Sequence, residues 1–243
     1  MIIKKMNACL MVGAVLLLLN IGSVMGQDAP SKGSWHVGAD LMSRYYWRGM
    51  ALSTSPAIQP CIEYSIGGFT AGAWGSYSFS KEPYQEIDLY LAYEFGNVSL
   101  AVYDYFSFTD SLDVSHQYFD WDSHGTAHTL EAILEAWDIF GTPFSLEAGL
   151  FLYGDDKNDE GKQYYSAYIE PQYSFSMGDN ELMVFAGFSP AEGAYADKFG
   201  FVNVGITGCR SLKMSDVFTV PISATFAVNP SSDSVFLVAG LSF

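Results

Sequence analysis

Ser234-Val235-Phe236-Leu237-Val238-Ala239-Gly240-Leu241-Ser242-Phe243 is the stretch on which the reading of the fold turns. In an extended chain successive side chains point to opposite faces, so Val235, Leu237, Ala239, Leu241 and Phe243 fall together. Phe236, Val238, Gly240 and Ser242 fall on the other face. An amphipathic helix would instead space its apolar residues three and four apart. One face is wholly apolar and the other mixed, which is the pattern of a strand set between two different environments.

The same alternation recurs upstream. Twelve segments carry it: 35–47, 57–66, 69–79, 86–95, 98–106, 127–137, 144–153, 163–175, 181–188, 200–209, 217–228 and 234–243. Each is roughly ten residues long, about the length of a tilted strand that crosses a bilayer. In the first, Trp35, Val37, Ala39, Leu41, Tyr45 and Trp47 share one face while His36, Asp40, Arg44 and Arg48 share the other. In the fourth, Ile87, Leu89, Leu91, Tyr93 and Phe95 oppose Glu86, Asp88, Tyr90 and Glu94. The connections alternate as well. Gly67-Gly68, Gly96-Asn97 and the stretches 138–143, 176–180 and 210–216 read as short turns. The stretches 48–56, 80–85, 107–126, 154–161, 189–199 and 229–233 are mostly longer, polar and acidic. An even strand count puts the short turns and both chain ends on one side and the loops on the other. The expected fold is therefore all-β, an up-and-down antiparallel transmembrane barrel of about twelve strands, with ten as the alternative.

Two features resist strict alternation. Asp104 falls on the apolar face of its strand, which predicts a bulge or a rim position there. Pro60, Pro171 and Pro221 each lack a ladder donor, and bulges near the rims are expected to absorb them.

At the other end, Lys4 and Lys5 precede the apolar run Cys9–Leu19, and small residues follow at Gly22, Ser23 and Gly26. This is the order of a secretory signal peptide, and the run is too short for a spanning helix of about 20 residues. Residues 1–26 are expected to be a cleaved leader, and 27–243 one barrel domain exported to the cell outer membrane. Without the leader nine bases face 27 acids, a net charge near −18, which excludes a nucleic-acid partner. Cys61 and Cys209 lie in strands far apart and are expected to be two buried, unpaired thiols.

A chain closing on an aromatic residue at the end of such a strand resembles bacterial outer-membrane barrels, where that end is an assembly signal. Further segments resemble one family, the TorF-type porins, conserved hypothetical outer-membrane barrel proteins. They are Ala39-Asp40-Leu41-Met42-Ser43-Arg44-Tyr45-Tyr46-Trp47-Arg48-Gly49, Pro56-Ala57-Ile58-Gln59-Pro60, Gly72-Ala73-Trp74-Gly75-Ser76-Tyr77, Glu86-Ile87-Asp88-Leu89-Tyr90, Asp104-Tyr105-Phe106 and Val228-Asn229-Pro230. The resemblance implies a single outer-membrane barrel and a porin role. It carries over neither substrate nor catalytic residue.

With polar faces inward, the lumen is lined by Asp40, Glu63, Glu86, Asp88, Glu94, Glu131, Glu135, Glu147 and Glu170, with Arg44 and Arg48 as the bases. An ionised side chain on a lipid-facing surface costs roughly 2–4 kcal/mol for a base at mid-depth, and less for an acid. These residues are the expected pore lining of a passive channel for small solutes that favours cations mildly. Tyr46, Trp74, Tyr90, Tyr103, Tyr105, Tyr168 and Phe185 also point inward and would narrow it. The alternatives are a structural or adhesive surface barrel without an open pore, or an outer-membrane hydrolase. The loop 107–126 carries Asp110, Asp113, His116, Asp120, Asp122 and His124, with His128 beyond, but in no compact metal-ligand spacing. The expectation is therefore no enzyme, no cofactor and no metal. Partners would be outer-membrane lipid, small solutes or ions, and the assembly machinery that engages Phe243.

Overall fold

The computed structural model describes residues 32–81, 83–109, 117–123, 125–216 and 218–243. The leader assigned to 1–26, and Asp110, Asp113, His116 and His124, lie outside them. Fourteen strands follow in chain order: β1 (Ser34–Met42), β2 (Tyr46–Trp47), β3 (Met50–Ala51), β4 (Ala57–Ile66), β5 (Phe69–Ser78), β6 (Tyr84–Phe95), β7 (Val98–Thr109), β8 (His128–Ala136), β9 (Phe144–Gly154), β10 (Ala167–Met177), β11 (Asn180–Ser189), β12 (Gly200–Lys213), β13 (Thr219–Asn229) and β14 (Ser234–Ser242). Twelve of them close into an antiparallel up-and-down barrel in which β1 pairs with both β4 and β14. β2 and β3 pair only with each other. The expected count of twelve barrel strands is met.

The barrel is apolar outside and polar inside. On β6 the outward Leu91 is 67% exposed while its inward neighbour Tyr90 is 4% exposed; on β14 the corresponding values are 71% for Leu237 and 1% for Val238. Leu89 and Leu150 are exposed on the same outer surface. Val220 is the exception among the outward aliphatics, for it is buried although its partner Leu212 is exposed. Exposed aromatic rings collect at both ends of the strands. Trp35, Phe69, Phe95 and Phe144 lie at the turn end, and Tyr77, Phe79, Phe199 and Phe201 at the loop end. Among the described residues, the outward strand positions hold ionisable side chains at Asp104, His128 and Arg210, and Arg210 pairs with Asp179 beside a turn.

Asp104 needs no bulge. It stays in register opposite Leu130 and Leu89, and His128 Nδ1 lies 2.7 Å from its carboxylate. Nor do the prolines bulge. The β4–β5 ladder skips Gln59 and Pro60, and the β10–β11 ladder skips Glu170 and Pro171, each resuming in the same register. Pro221 pairs with Ser211 on one side, and on the other β14 pairing begins only at Ile222. A missing donor thus leaves a local gap in one ladder, which is less disruptive than inserting a residue. The register does shift at Leu130/Glu131 and at Gly187/Phe188, both near the loop end.

The first strand is the main correction to the sequence reading. It ends at Met42 rather than at residue 47, and the stretch expected as the loop 48–56 begins within a hairpin packed inside the barrel. Tyr45 and Trp47, expected on the outer face, are therefore interior. Cys61 and Cys209 are buried and unbridged, as expected.

Closure rests on a short seam. β1 and β4 pair at nine positions, whereas β1 and β14 pair at three, Asp40 with Ser242, Leu41 with Leu241 and Met42 with Gly240. Phe243 N–H donates to Ala39 O at 3.0 Å, and Ala39 N–H donates to Phe243 O at 3.2 Å. Ser43 N–H donates to Ala239 O at 2.8 Å. Deleting Phe243 removes two of these bonds from the weakest junction. The expected outcome is a smaller folded fraction and a lower unfolding temperature, read from the gel migration of heated and unheated protein; equal values for the intact and shortened chains would contradict it.

Candidate functional site

Arg48 and Gly49 form the two-residue turn between β2 and β3, and both have positive φ, 45° and 80°. Paired positive φ values are those of the hairpin turn that matches strand twist. Glycine is required at the second position, because a Cβ there would lie 1.8 Å from the Val202 carbonyl oxygen. Val202 is the extra residue at the β11–β12 register shift, between Phe201 opposite Phe188 and Asn203 opposite Gly187. That irregularity brings the barrel wall against the tip of the hairpin. Asn229 Nδ2 donates to Gly49 O at 3.0 Å, and the Tyr46 hydroxyl donates to Asn203. Arginine adopts left-handed backbone only at a cost of about 1–3 kcal/mol, so its surroundings must hold it there.

What holds it is a cradle of carboxylates and rings. Arg48 Nη1 donates to Glu131 Oε1 and to the Tyr195 hydroxyl, each at 2.6 Å. Its Nε and Nη2 donate to Glu147 Oε1 at 3.0 and 2.8 Å. The guanidinium carbon stands 4.7 Å from the ring centres of Trp47 and Tyr168 and 5.7 Å from that of Tyr195. Tyr105 donates to the second Glu131 oxygen at 2.6 Å. Gly149, on the inner face of β9, leaves the room: a Cβ there would meet Glu131 Oε1 at 2.0 Å and Arg48 Nη2 at 2.9 Å. Burial pushes the Tyr195 phenol well above its ordinary range, so it accepts from Arg48 as a neutral hydroxyl. Arg48 is 1% exposed and Glu131 0%, so water does not reach the pair.

The other acids expected in the lumen do point inward, but tyrosines and amides hold several of them instead of cations. Tyr90 donates to Glu63 at 2.7 Å. Glu86 accepts from Tyr45, Tyr84 and Ser107. Glu170 accepts from Tyr168, from Gln172 at 3.0 Å and from Asn203 at 2.7 Å. Asp40 and Asp88 are buried, whereas Glu94 and Glu135 are half-buried near the turn end. Asp88 Oδ1, Glu94 Oε2 and the Tyr103 hydroxyl have no hydrogen-bond partner among the described residues. Arg44 lies beyond the end of β1, half-buried, and is not part of the cradle. Sequence reading missed Tyr195, because its loop gives no periodic signal that would turn it inward.

The second site lies outside the barrel. His128 is fully buried, with Nδ1 against Asp104 and Nε2 2.6 Å from Tyr118 O. Both ring nitrogens are therefore engaged, one by a carboxyl group and the other by a backbone carbonyl. Trp121 stacks on it at 3.8 Å between ring centres, and the Tyr153 hydroxyl donates to Trp121 O. Residues 118–121 therefore lie over the hydrogen-bonded His128–Asp104 pair on the apolar surface. Among the described residues no group of three or more His, Cys, Asp or Glu side chains could hold a metal ion. Asp156, in the acidic stretch 154–161, is engaged by Ser166 and Gln163.

In comparisons with known proteins, no family model matches this chain and no curated protein matches it.

Removing one member of a buried ion pair typically costs about 3–5 kcal/mol, because the other is left uncompensated. Arg48→Ala is expected to lower barrel stability on that scale, and Arg48→Ala with Glu147→Gln to recover part of it; the unfolding temperatures of the two variants decide this. His128→Ala strands the Asp104 carboxylate, worth roughly 1–3 kcal/mol. Proteolysis within 117–123 should then accelerate, and adding Asp104→Asn should slow it again.

Proposed function

We propose that this chain is an outer-membrane β-barrel acting as a porin, whose lumen passes small solutes with a preference for cations and is narrowed by the β2–β3 hairpin. The observation that carries this reading is the lumen charge. The nine carboxylates expected in the lumen all point inward, and Arg48 is the one buried arginine or lysine among the described residues. Like charges along a confined path concentrate counter-ions and repel anions. The membrane setting is supported by the outward aliphatic surface between two aromatic belts, an arrangement suited to lipid. A leader over 1–26, the terminal Phe243 and the resemblance to TorF-type porins agree with it.

A second reading draws on a different observation. Arg48, Trp47 and Tyr195 fill the lumen at the level of Glu131, which also suits a structural barrel with no conducting state. Planar-bilayer recording of refolded protein separates the two. The porin reading expects small, cation-selective events from the native chain, and larger ones from Arg48→Ser, since the guanidinium leaves and the acids stay. Arg44→Ser, outside the cradle, should change conductance less. Silence from both native and Arg48→Ser protein would favour the structural barrel, and anion selectivity would refute the charge argument.

A further inference from the structure

We propose that the cradle around Arg48 is a guanidinium-binding site that Arg48 fills in cis, and that small guanidino compounds are its solute class. The inference deepens the porin reading, since the site lies in the lumen of that pore. Four features specify a planar, forked cation. Glu147 Oε1 lies within 2.8 and 3.0 Å of two guanidinium nitrogens, while Glu131 Oε1 and the Tyr195 hydroxyl lie 2.6 Å from the third. The Tyr168 ring centre stands 4.7 Å from the central carbon. Gly149 supplies the space, since any Cβ there would strike the Glu131 carboxylate and the guanidinium. An ammonium ion could satisfy the charge, but not three nitrogens and a ring face together.

Two further features make the occupant replaceable. Two carboxylates face one guanidinium, so the filled site keeps a net negative charge and the emptied one doubles it. The hairpin that delivers Arg48 has only two paired positions, Tyr46 with Ala51 and Trp47 with Met50, and its arginine holds a strained backbone. A guanidino solute entering the lumen meets the same partners without that strain.

The test uses full-length barrel refolded into vesicles, with guanidinium chloride as the probe at millimolar, non-denaturing concentrations. In Arg48→Ala, guanidinium at ten times its dissociation constant should raise the unfolding temperature by about 3–6 °C. Potassium and ammonium at equal ionic strength should not. If that variant fails to fold, Arg48→Ala with Glu147→Gln keeps the cradle at its native net charge and should retain the preference. Equal stabilisation by guanidinium and potassium would overturn the site. In the native chain, vesicles should swell faster in guanidinium chloride than in tetramethylammonium chloride. Equal swelling would leave a cradle with no solute of its own and overturn the proposal. No swelling in either salt, with the melting preference intact, would sink the pore and leave the binding site standing.

Discussion

Every backbone donor and acceptor in these strands must find its partner within the sheet, because the outer surface offers side chains that suit hydrocarbon rather than water. An open sheet would leave two edges unsatisfied, so β1 must meet β14, and the rest of the structure follows from that closure. Closing the sheet divides each strand into an outward and an inward row. The outward row took the aliphatic and aromatic residues. The inward row had to take the charges, and Pro60 and Pro171 were accommodated as skipped rungs because a change of register would turn these rows over.

The inward row then meets a second constraint. Carboxylates removed from water need donors, and a cation for each would require a basic lumen that this chain does not encode. Tyrosine hydroxyls, amides and one serine serve instead at Glu63, Glu86 and Glu170. Hydrogen bonds of this kind satisfy the oxygens while leaving the charge unneutralised. At Glu131 and Glu147 a true counter-ion is present, and it arrives from a hairpin rather than from the wall. The two kinds of compensation sit within one barrel, and they separate a partly neutralised level at Arg48 from a more acidic remainder.

Period-two alternation made the barrel legible from sequence because lipid-like and lumen-like surroundings select opposite residue types at every step. The β4 limits were read at 57–66 as they occur, and most others to within a few residues. Alternation failed at Tyr45-Tyr46-Trp47, where aromatic residues suit an outer face and a packed lumen equally well. Only the Arg48-Gly49 pair hinted at a turn, and arginine is not a residue that favours left-handed backbone. Nine inward acids were legible because charge has a single favourable side. The grouping of Glu131 with Glu147, Tyr195 and Arg48 was not, since it depends on how far an internal hairpin reaches. Asp104 stood out as a charge on the wrong face, but its answer lay in His128 and a loop folded back over the wall.

The seam between β1 and β14 also sets the order of events in folding. Eleven of the twelve barrel pairings join barrel strands that follow one another along the chain. Each joins neighbours in the chain, so the segment to close is short beside the whole chain and less entropy is at stake. The twelfth brings Ser43 to Ala239 across a sequence separation of 196 residues. Nothing about that junction is available to a chain still being made, and it has the fewest rungs with which to capture its partner. Closure therefore waits for both ends of the chain, and until it occurs the molecule carries two bare edges of its own sheet.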